Sequence, residues 1–305
     1  MTKKITIITA YFDIGRGSMK NFERTTNDYF DYFTKWAKLK NNLVVFVENE
    51  KLKKEVLNFR EKIGLLDKTT VVVIEDIISL APDVYKNIRK AISNEILLKY
   101  RLRPQSPDSN NSLYNYVMIL KAWCIAYTAN ELKVEGQLAW IDFGFNHGGT
   151  VFSLESNFNI MWEYDFGEKI TLFNLQPLDD RPIFDIIFSM DTYIMGSIII
   201  VPDKLASIFW ELAQYCTKIL SEVGISDDDQ IIWLMSCRIK PDFFDIKKVS
   251  GWHTALKEYG CADLVLKKIH KGNKLKLILR KVKYRIEIIK YIKQIYSISI
   301  KWTQQ

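Results

Sequence analysis

At 305 residues, 48% hydrophobic and 26% charged, the chain can bury a substantial core and lies well away from disordered composition. It lacks the roughly 18 to 20 consecutive apolar residues of a membrane-spanning helix and the start of a signal peptide, and its four scattered cysteines (124, 216, 237, 261) form no C-x-x-C pair; reduced core thiols in a cytosolic protein are expected. The net charge of +7 is uneven: residues 267–305 carry twelve Lys or Arg against the single acid Glu287, so the preceding body is net negative and no nucleic-acid partner is expected.

The apolar run "KKITIITAYF" predicts a buried strand almost at residue 1, ending in the turn "DIGRGS". A helix follows in "MKNFERTTNDYFDYFTKWAKLKN", with Phe22, Tyr29, Phe33 and Trp36 on one stripe. "LVVFVE" predicts a second strand, "KLKKEVLNFREKIGLL" a second helix and "TTVVVIE" a third strand. Strand, helix, strand, helix, strand is the pattern of parallel crossover units, which predicts a Rossmann-like half sheet. Past the polar loop "RLRPQSPDSNNS" comes a long apolar helix over 112–133, then the strand "QLAWID". "NIMWEYDF", "KITLFNL" and "FDIIFSMDTYIMGSIIIVP" suggest an antiparallel extension of the sheet. Two helices follow, "DKLASIFWELAQYCTKILSEVG" and one begun by the acids of "ISDDDQIIWLMSC", with Asp227 the expected cap.

The tripeptide Asp142-Phe143-Gly144 matches the magnesium-holding motif of protein kinases, but the rest of that signature is missing. Gly15-Arg16-Gly17 has Lys20 where a third glycine should stand, and none of the three histidines (147, 253, 270) precedes Arg-Asp. What survives is position. Asp142 ends an apolar strand, where ligands of open α/β sheets bind, and a carboxylate there suits a ribose hydroxyl or a cation on a diphosphate. The plain alternative is a turn aspartate. The turn after the first strand would lie beside a nucleotide, with Arg16 offering a fork to phosphate. Lys121, inside an apolar helix, either snorkels to the surface or points at an anion. The acids of "SDDDQ" include a candidate general base, and His253 and His147 are candidate late-chain imidazoles.

In order and detail, "TIITAYFDIGRG", "YFTKWAKLKNNLVVFVE" and "AWIDFGF" resemble the HtrL/YibB family of bacterial proteins, which is similar to GT-A nucleotide-sugar glycosyltransferases; the resemblance runs over roughly residues 3 to 255. It implies an α/β fold, a GT-A-like Rossmann-type mixed sheet flanked by helices, over residues 1–265, with a basic helical tail at 266–305. It implies transfer of a hexose, from a UDP-linked donor, to a glycan or lipid-linked glycan acceptor of a lipopolysaccharide or capsule. The donor would contact Thr9, Ala10, Tyr11, Phe12, Arg16, Lys121, Asp142, Phe143, Gly144, Gly196, Ser197 and Gln230. Asp229, or failing it Asp228, would be the catalytic base or an acceptor contact. The second carboxylate of the usual Asp-x-Asp is missing here, so a Mn2+ or Mg2+ would be held by Asp142, His253 and the diphosphate, or be absent. The rival enzyme class is a sugar nucleotidyltransferase, to which "FDIGRGSMK" is a poor match, and the non-enzyme rival is a nucleic-acid-binding protein, suggested by the overall basic charge but opposed by the net-negative body.

In the tail, Leu275, Leu279, Val282, Ile286, Ile289, Ile292 and Tyr296 recur at helical spacing among lysines and arginines. Such a helix can lie on an anionic membrane surface, or pack on the body or on a second subunit of a homodimer. The expected location is the inner face of the cytoplasmic membrane.

Overall fold

A computed structural model of the chain describes residues 4–267 apart from 20 and 154, together with three isolated tail positions, Val282, Ile286 and Ile289. The elements run β1 (Ile5–Tyr11), α1 (Thr26–Trp36), β2 (Asn42–Val47), α2 (Glu50–Lys62), β3 (Thr69–Val73), α3 (Pro82–Ile92), α4 (Glu95–Leu98), α5 (Pro107–Asn110), α6 (Ser112–Asn130), β4 (Gln137–Ile141), β5 (Ile170–Asn174), α7 (Ile183–Ser189), β6 (Ile194–Pro202), α8 (Ala206–Glu222), α9 (Asp229–Ile239), β7 (Phe244–Lys248) and α10 (Ala255–Glu258). The seven strands form one sheet in the order β3-β2-β1-β4-β6-β5-β7. β3, β2, β1 and β4 are mutually parallel, β6 runs antiparallel to both neighbours, and β7 is parallel to β5. This is the expected α/β architecture with its mixed sheet.

Both faces of the sheet are covered, so its central strands read as unbroken apolar runs instead of alternating ones. On one face Ile8, Phe46, Leu138 and Trp140 join Tyr116, Ile119 and Leu120 of α6 and Phe209 and Cys216 of α8. On the other, Ile7, Val45 and Ile141 pack with Phe33 and Trp36 of α1 and Trp162. The four cysteines are free and buried.

Helix α1 begins later than its stripe suggests, because Thr25 and Asp28 form a reciprocal capping box that fixes the start at Thr26. "FDIIF" is not a strand. It lies in the short helix α7, which turns Ile186 and Ile187 into the core and stops at Met190 with φ 51°. "NIMWEYDF" contributes only a bridge, Lys4 to Glu163, just before β1. The expected tail helix lies outside the described residues except at Val282, Ile286 and Ile289, which are helical and about half exposed.

Candidate active site

Strands β1 and β4 are neighbours and parallel, so their carboxyl ends open side by side at one edge of the sheet. Immediately beyond them, the Asp142 N–H donates to Ser197 O of antiparallel β6 at 3.0 Å, which brings Gly196 and Ser197 to the same edge. The N-terminus of α9 and the middle of α6 close the sides. The result is a cavity of about 570 Å³ lined by Ala10, Tyr11, Phe12, Arg16, Lys121, Asp142, Phe143, Gly144, Gly196, Ser197, Asp228, Asp229, Gln230 and His253. Residues far apart in the chain thus converge on one cleft at the strand ends, where open α/β sheets hold their ligands.

Thr9 does not reach it. Two residues short of the strand end, it is fully buried against the neighbouring strand, so the cavity begins at Ala10.

The electrostatic centre is Lys121, only 2% exposed. Its Nζ lies 2.8 Å from Asp142 Oδ1, 2.8 Å from Asp229 Oδ2 and 3.0 Å from Gly196 O. An ammonium has three protons, and here each has an acceptor. Burial opposes the charge, but the two carboxylates more than offset it and raise the pKa, so the group is cationic at neutral pH. The expected phosphate contact is therefore replaced by a carboxylate clamp.

Trp140 Nε1 also donates to Asp142 Oδ1 at 2.7 Å, and Trp233 Nε1 to Asp229 Oδ2 at 3.2 Å. Asp229 is 2% exposed and lies against Gly196, where an added Cβ would fall 2.7 Å from its carboxyl carbon. Only glycine permits this approach. Asp142, with its side chain 33% exposed, is the member of the clamp open to the cavity. A buried, pinned Asp229 holds Lys121, and Lys121 holds Asp142.

The acidic run is offset by one residue from expectation. Asp228, not Asp227, caps α9, accepting from the Gln230 N–H at 3.1 Å and from Gln230 Nε2 at 3.2 Å. Burial, followed by the neighbouring carboxylates of Asp229 and Asp227, pushes the Asp228 carboxyl well above the usual range. Asp227 pairs with Arg101 at 3.1 Å, and burial raises its pKa to about 6 despite that partner.

Phe143 lines the cavity but belongs to the core, stacked on Phe33 at 4.4 Å between ring centres, with Trp36 Nε1 donating to its carbonyl. Gly144 is dictated by packing as well: a Cβ there would lie 2.9 Å from the Tyr29 ring of α1. The tripeptide that looks like a kinase motif is thus a strand-end aspartate followed by two residues that fit against α1.

His147 and His253 both lie at the cavity wall, with ring centres 5.4 Å apart and φ of 39° and 65°. Burial lowers each pKa to about 4, so both are neutral at physiological pH. Arg24 Nη1 approaches His147 Nε2 at 3.4 Å; a guanidinium can only donate, which puts the His147 proton on Nδ1. His253 Nδ1 and Ser197 Oγ are buried and lack a hydrogen-bond partner among the described residues, and both residues face the cavity. Leaving a buried polar atom without a partner costs free energy, and these two are placed where a ligand in the cleft would complete them.

Several wall residues had no distinguishing sequence signal. Arg24 lies just before the cap of α1, and neither it nor Arg16 makes an ion pair with a described carboxylate. Arg16 stacks on the Tyr114 ring at 5.2 Å and donates from Nε to Phe22 O. Two guanidiniums with spare donors at the mouth of a cleft suit a polyanion. Trp252, 40% exposed, adds a broad apolar face beside His253.

A divalent ion has no place between the two clamped carboxylate oxygens as they stand. Asp142 Oδ1 and Asp229 Oδ2 are committed to Lys121 and the indoles, and His147 Nε2 faces Arg24. Among the described residues no three His, Cys, Asp or Glu side chains converge in metal-binding geometry.

Residues 3–260 match the model of a family described as bacterial protein of unknown function, HtrL_YibB. The chain is similar to Protein HtrL of Escherichia coli strain K12, 31% identical over 262 residues that cover 81% of this chain and 88% of that protein. Fold, match and cleft all fall within the same stretch, and the chain belongs to the HtrL/YibB family.

Proposed function

We propose that the cleft is the active site of a glycosyltransferase that takes a nucleotide diphosphate sugar as donor, with UDP the expected nucleotide. The observation that carries this reading is the pairing, in one strand-end cavity, of two guanidiniums that keep spare donors with a carboxylate fixed by Lys121. The uridine would lie along Ala10, Tyr11 and Phe12, and the diphosphate would take the forks of Arg16 and Arg24. The sugar would sit over Gly196 and Ser197, with Ser197 Oγ and His253 Nδ1 bonding its hydroxyls and Trp252 covering its apolar face.

In the transfer, an acceptor hydroxyl oxygen bonds to the anomeric carbon as its proton passes to the Asp142 carboxylate, the bond from that carbon to the diphosphate oxygen breaks, and its electron pair leaves with the diphosphate. Arginines aimed at the leaving group stabilise the charge that develops there. Asp142 replaces Asp229 as the carboxylate assigned to the reacting sugar, because it alone of the clamped pair is open to the cavity. Asp229 becomes a positioning residue. The acceptor in this reading is a glycan or lipid-linked glycan of the bacterial surface.

No helix of the described residues is long and apolar enough to cross a membrane. The half-exposed apolar side chains of Val282, Ile286 and Ile289, set among the tail's twelve basic residues, support peripheral binding to an anionic bilayer.

The test is a thermal-shift screen of UDP-, GDP-, CMP- and dTDP-sugars, since a ligand that binds the native state raises its melting temperature. Stabilisation by one nucleotide class, lost in Arg16→Ala and Arg24→Ala, is expected. No shift with any of them would overturn the reading.

A further inference from the structure

We propose that the Lys121 ammonium is the built-in cation of this cleft. It occupies the position between Asp142 and Asp229 that a divalent ion would bridge, so the diphosphate is met by protein cations alone. The inference rests on the nucleotide-sugar reading above for its ligand, but its geometry stands on the described residues.

Lys121 Nζ sits 2.8 Å from an oxygen of each carboxylate, so the two aspartates share one cation in the way carboxylates share a bridging metal. The third proton is taken by Gly196 O at 3.0 Å, which fixes the ammonium in place. Trp140 and Trp233 each donate to the same oxygen that Lys121 holds, so neither oxygen has capacity for a second cation. Gly196 lets Asp229 lie flat on β6, and Asp229 is buried too deeply to turn outward. The histidines offer no alternative cage, because His147 Nε2 already faces Arg24 and the unpartnered His253 Nδ1 is a single ligand. Positive charge for a diphosphate comes instead from Arg16 and Arg24 at the mouth.

The arrangement predicts what removing the ammonium does. Lys121→Met leaves two carboxylate oxygens, each 2.8 Å from the vacated point, facing the same space. Closing onto Mg2+ at about 2.1 Å would require each to move by only ~0.7 Å. The variant should therefore acquire a divalent site that the natural chain lacks.

The experiment has two arms on full-length protein. In the first, MnCl2 is added to wild type and to Lys121→Met without nucleotide, and melting temperature is followed. A manganese-dependent rise in the variant, abolished by adding Asp142→Asn and absent in wild type, is expected. A rise in wild type that Asp142→Asn removes would overturn the proposal, as would a folded variant that ignores manganese. In the second, UDP is titrated into wild type in EDTA and in manganese. Affinities equal within about twofold support the proposal, and tightening by tenfold or more in manganese overturns it. This arm holds even if Lys121→Met fails to fold. If UDP binds under neither condition, the transferase reading fails, and manganese binding to wild type, gauged against Asp142→Asn, still decides the role of Lys121.

Discussion

Replacing Lys121 by methionine should destabilise the fold more than most single substitutions, and the structure says by how much. The side chain is 2% exposed, as is that of Asp229, so the variant leaves a buried carboxylate with no cation. Removing one partner of a buried ion pair typically destabilises by about 3–5 kcal/mol, against a total stability of ~5–15 kcal/mol. Asp142 contributes the smaller share, because its partly exposed side chain can recover water. The loss should depend on pH. Burial already raises the folded-state pKa of Asp229 despite Lys121, and without the ammonium it rises further above the unfolded value. Stability is then retained below the unfolded pKa and lost as pH rises through the folded one, so the deficit at pH 7 should shrink toward pH 5. Adding Asp229→Asn to the variant removes the stranded charge and should restore roughly half of the loss. Urea denaturation followed by tryptophan fluorescence at both pH values reads all of this. A deficit under about 1 kcal/mol at pH 7, or no recovery in the double variant, would refute the clamp.

Gly196→Ala places a methyl group 2.7 Å from the Asp229 carboxyl carbon, and should lower stability by about 1–3 kcal/mol while displacing Lys121; an unchanged urea midpoint would show that the contact is not tight. His253 has a folded pKa of about 4, below its unfolded value of ~6.5, so it contributes stability above pH 6.5 that is lost as pH falls toward 4. His253→Asn should flatten the fall in stability over that window by up to about 3 kcal/mol, with the opposing titration of Asp227 common to both proteins; parallel pH profiles would contradict the burial argument. Removing residues 271–305 should leave a folded body that no longer sediments with anionic vesicles, and binding of the full chain should weaken as salt rises. Unfolding of the truncated body would make the tail structural instead.

Much of the fold was legible because strands buried on both faces must be continuously apolar, as "ITIITAY" and "LVVFV" are. "FDIIF" was not, since a short apolar run fits a strand or a buried helix turn equally well. The strand-end position of Asp142 was readable from one segment. The clamp was not, because Lys121 and Asp229 are separated by 108 residues and meet only through the sheet topology. A lysine in an apolar helix announces that something unusual must pair with it, yet only the fold says whether that partner is an anion from solvent or a carboxylate of the chain. Asp227 and Asp228 exchanged roles for a similar reason: Arg101, unremarked in the sequence, takes Asp227 and leaves Asp228 to cap the helix. Arg24 carried no local mark, and it gains meaning only beside Arg16 and His147.

The most direct test of the nucleotide-sugar reading is a calorimetric titration of UDP into wild type, Arg16→Ala/Arg24→Ala and Asp142→Asn under one buffer condition. Saturable binding to wild type is expected, weakened at least tenfold by loss of the two arginines. In Asp142→Asn the affinity should change by less than about threefold, because Asp142 is proposed to face the sugar and not the diphosphate. Wild-type binding that survives loss of both arginines, or no binding at millimolar UDP, would contradict it.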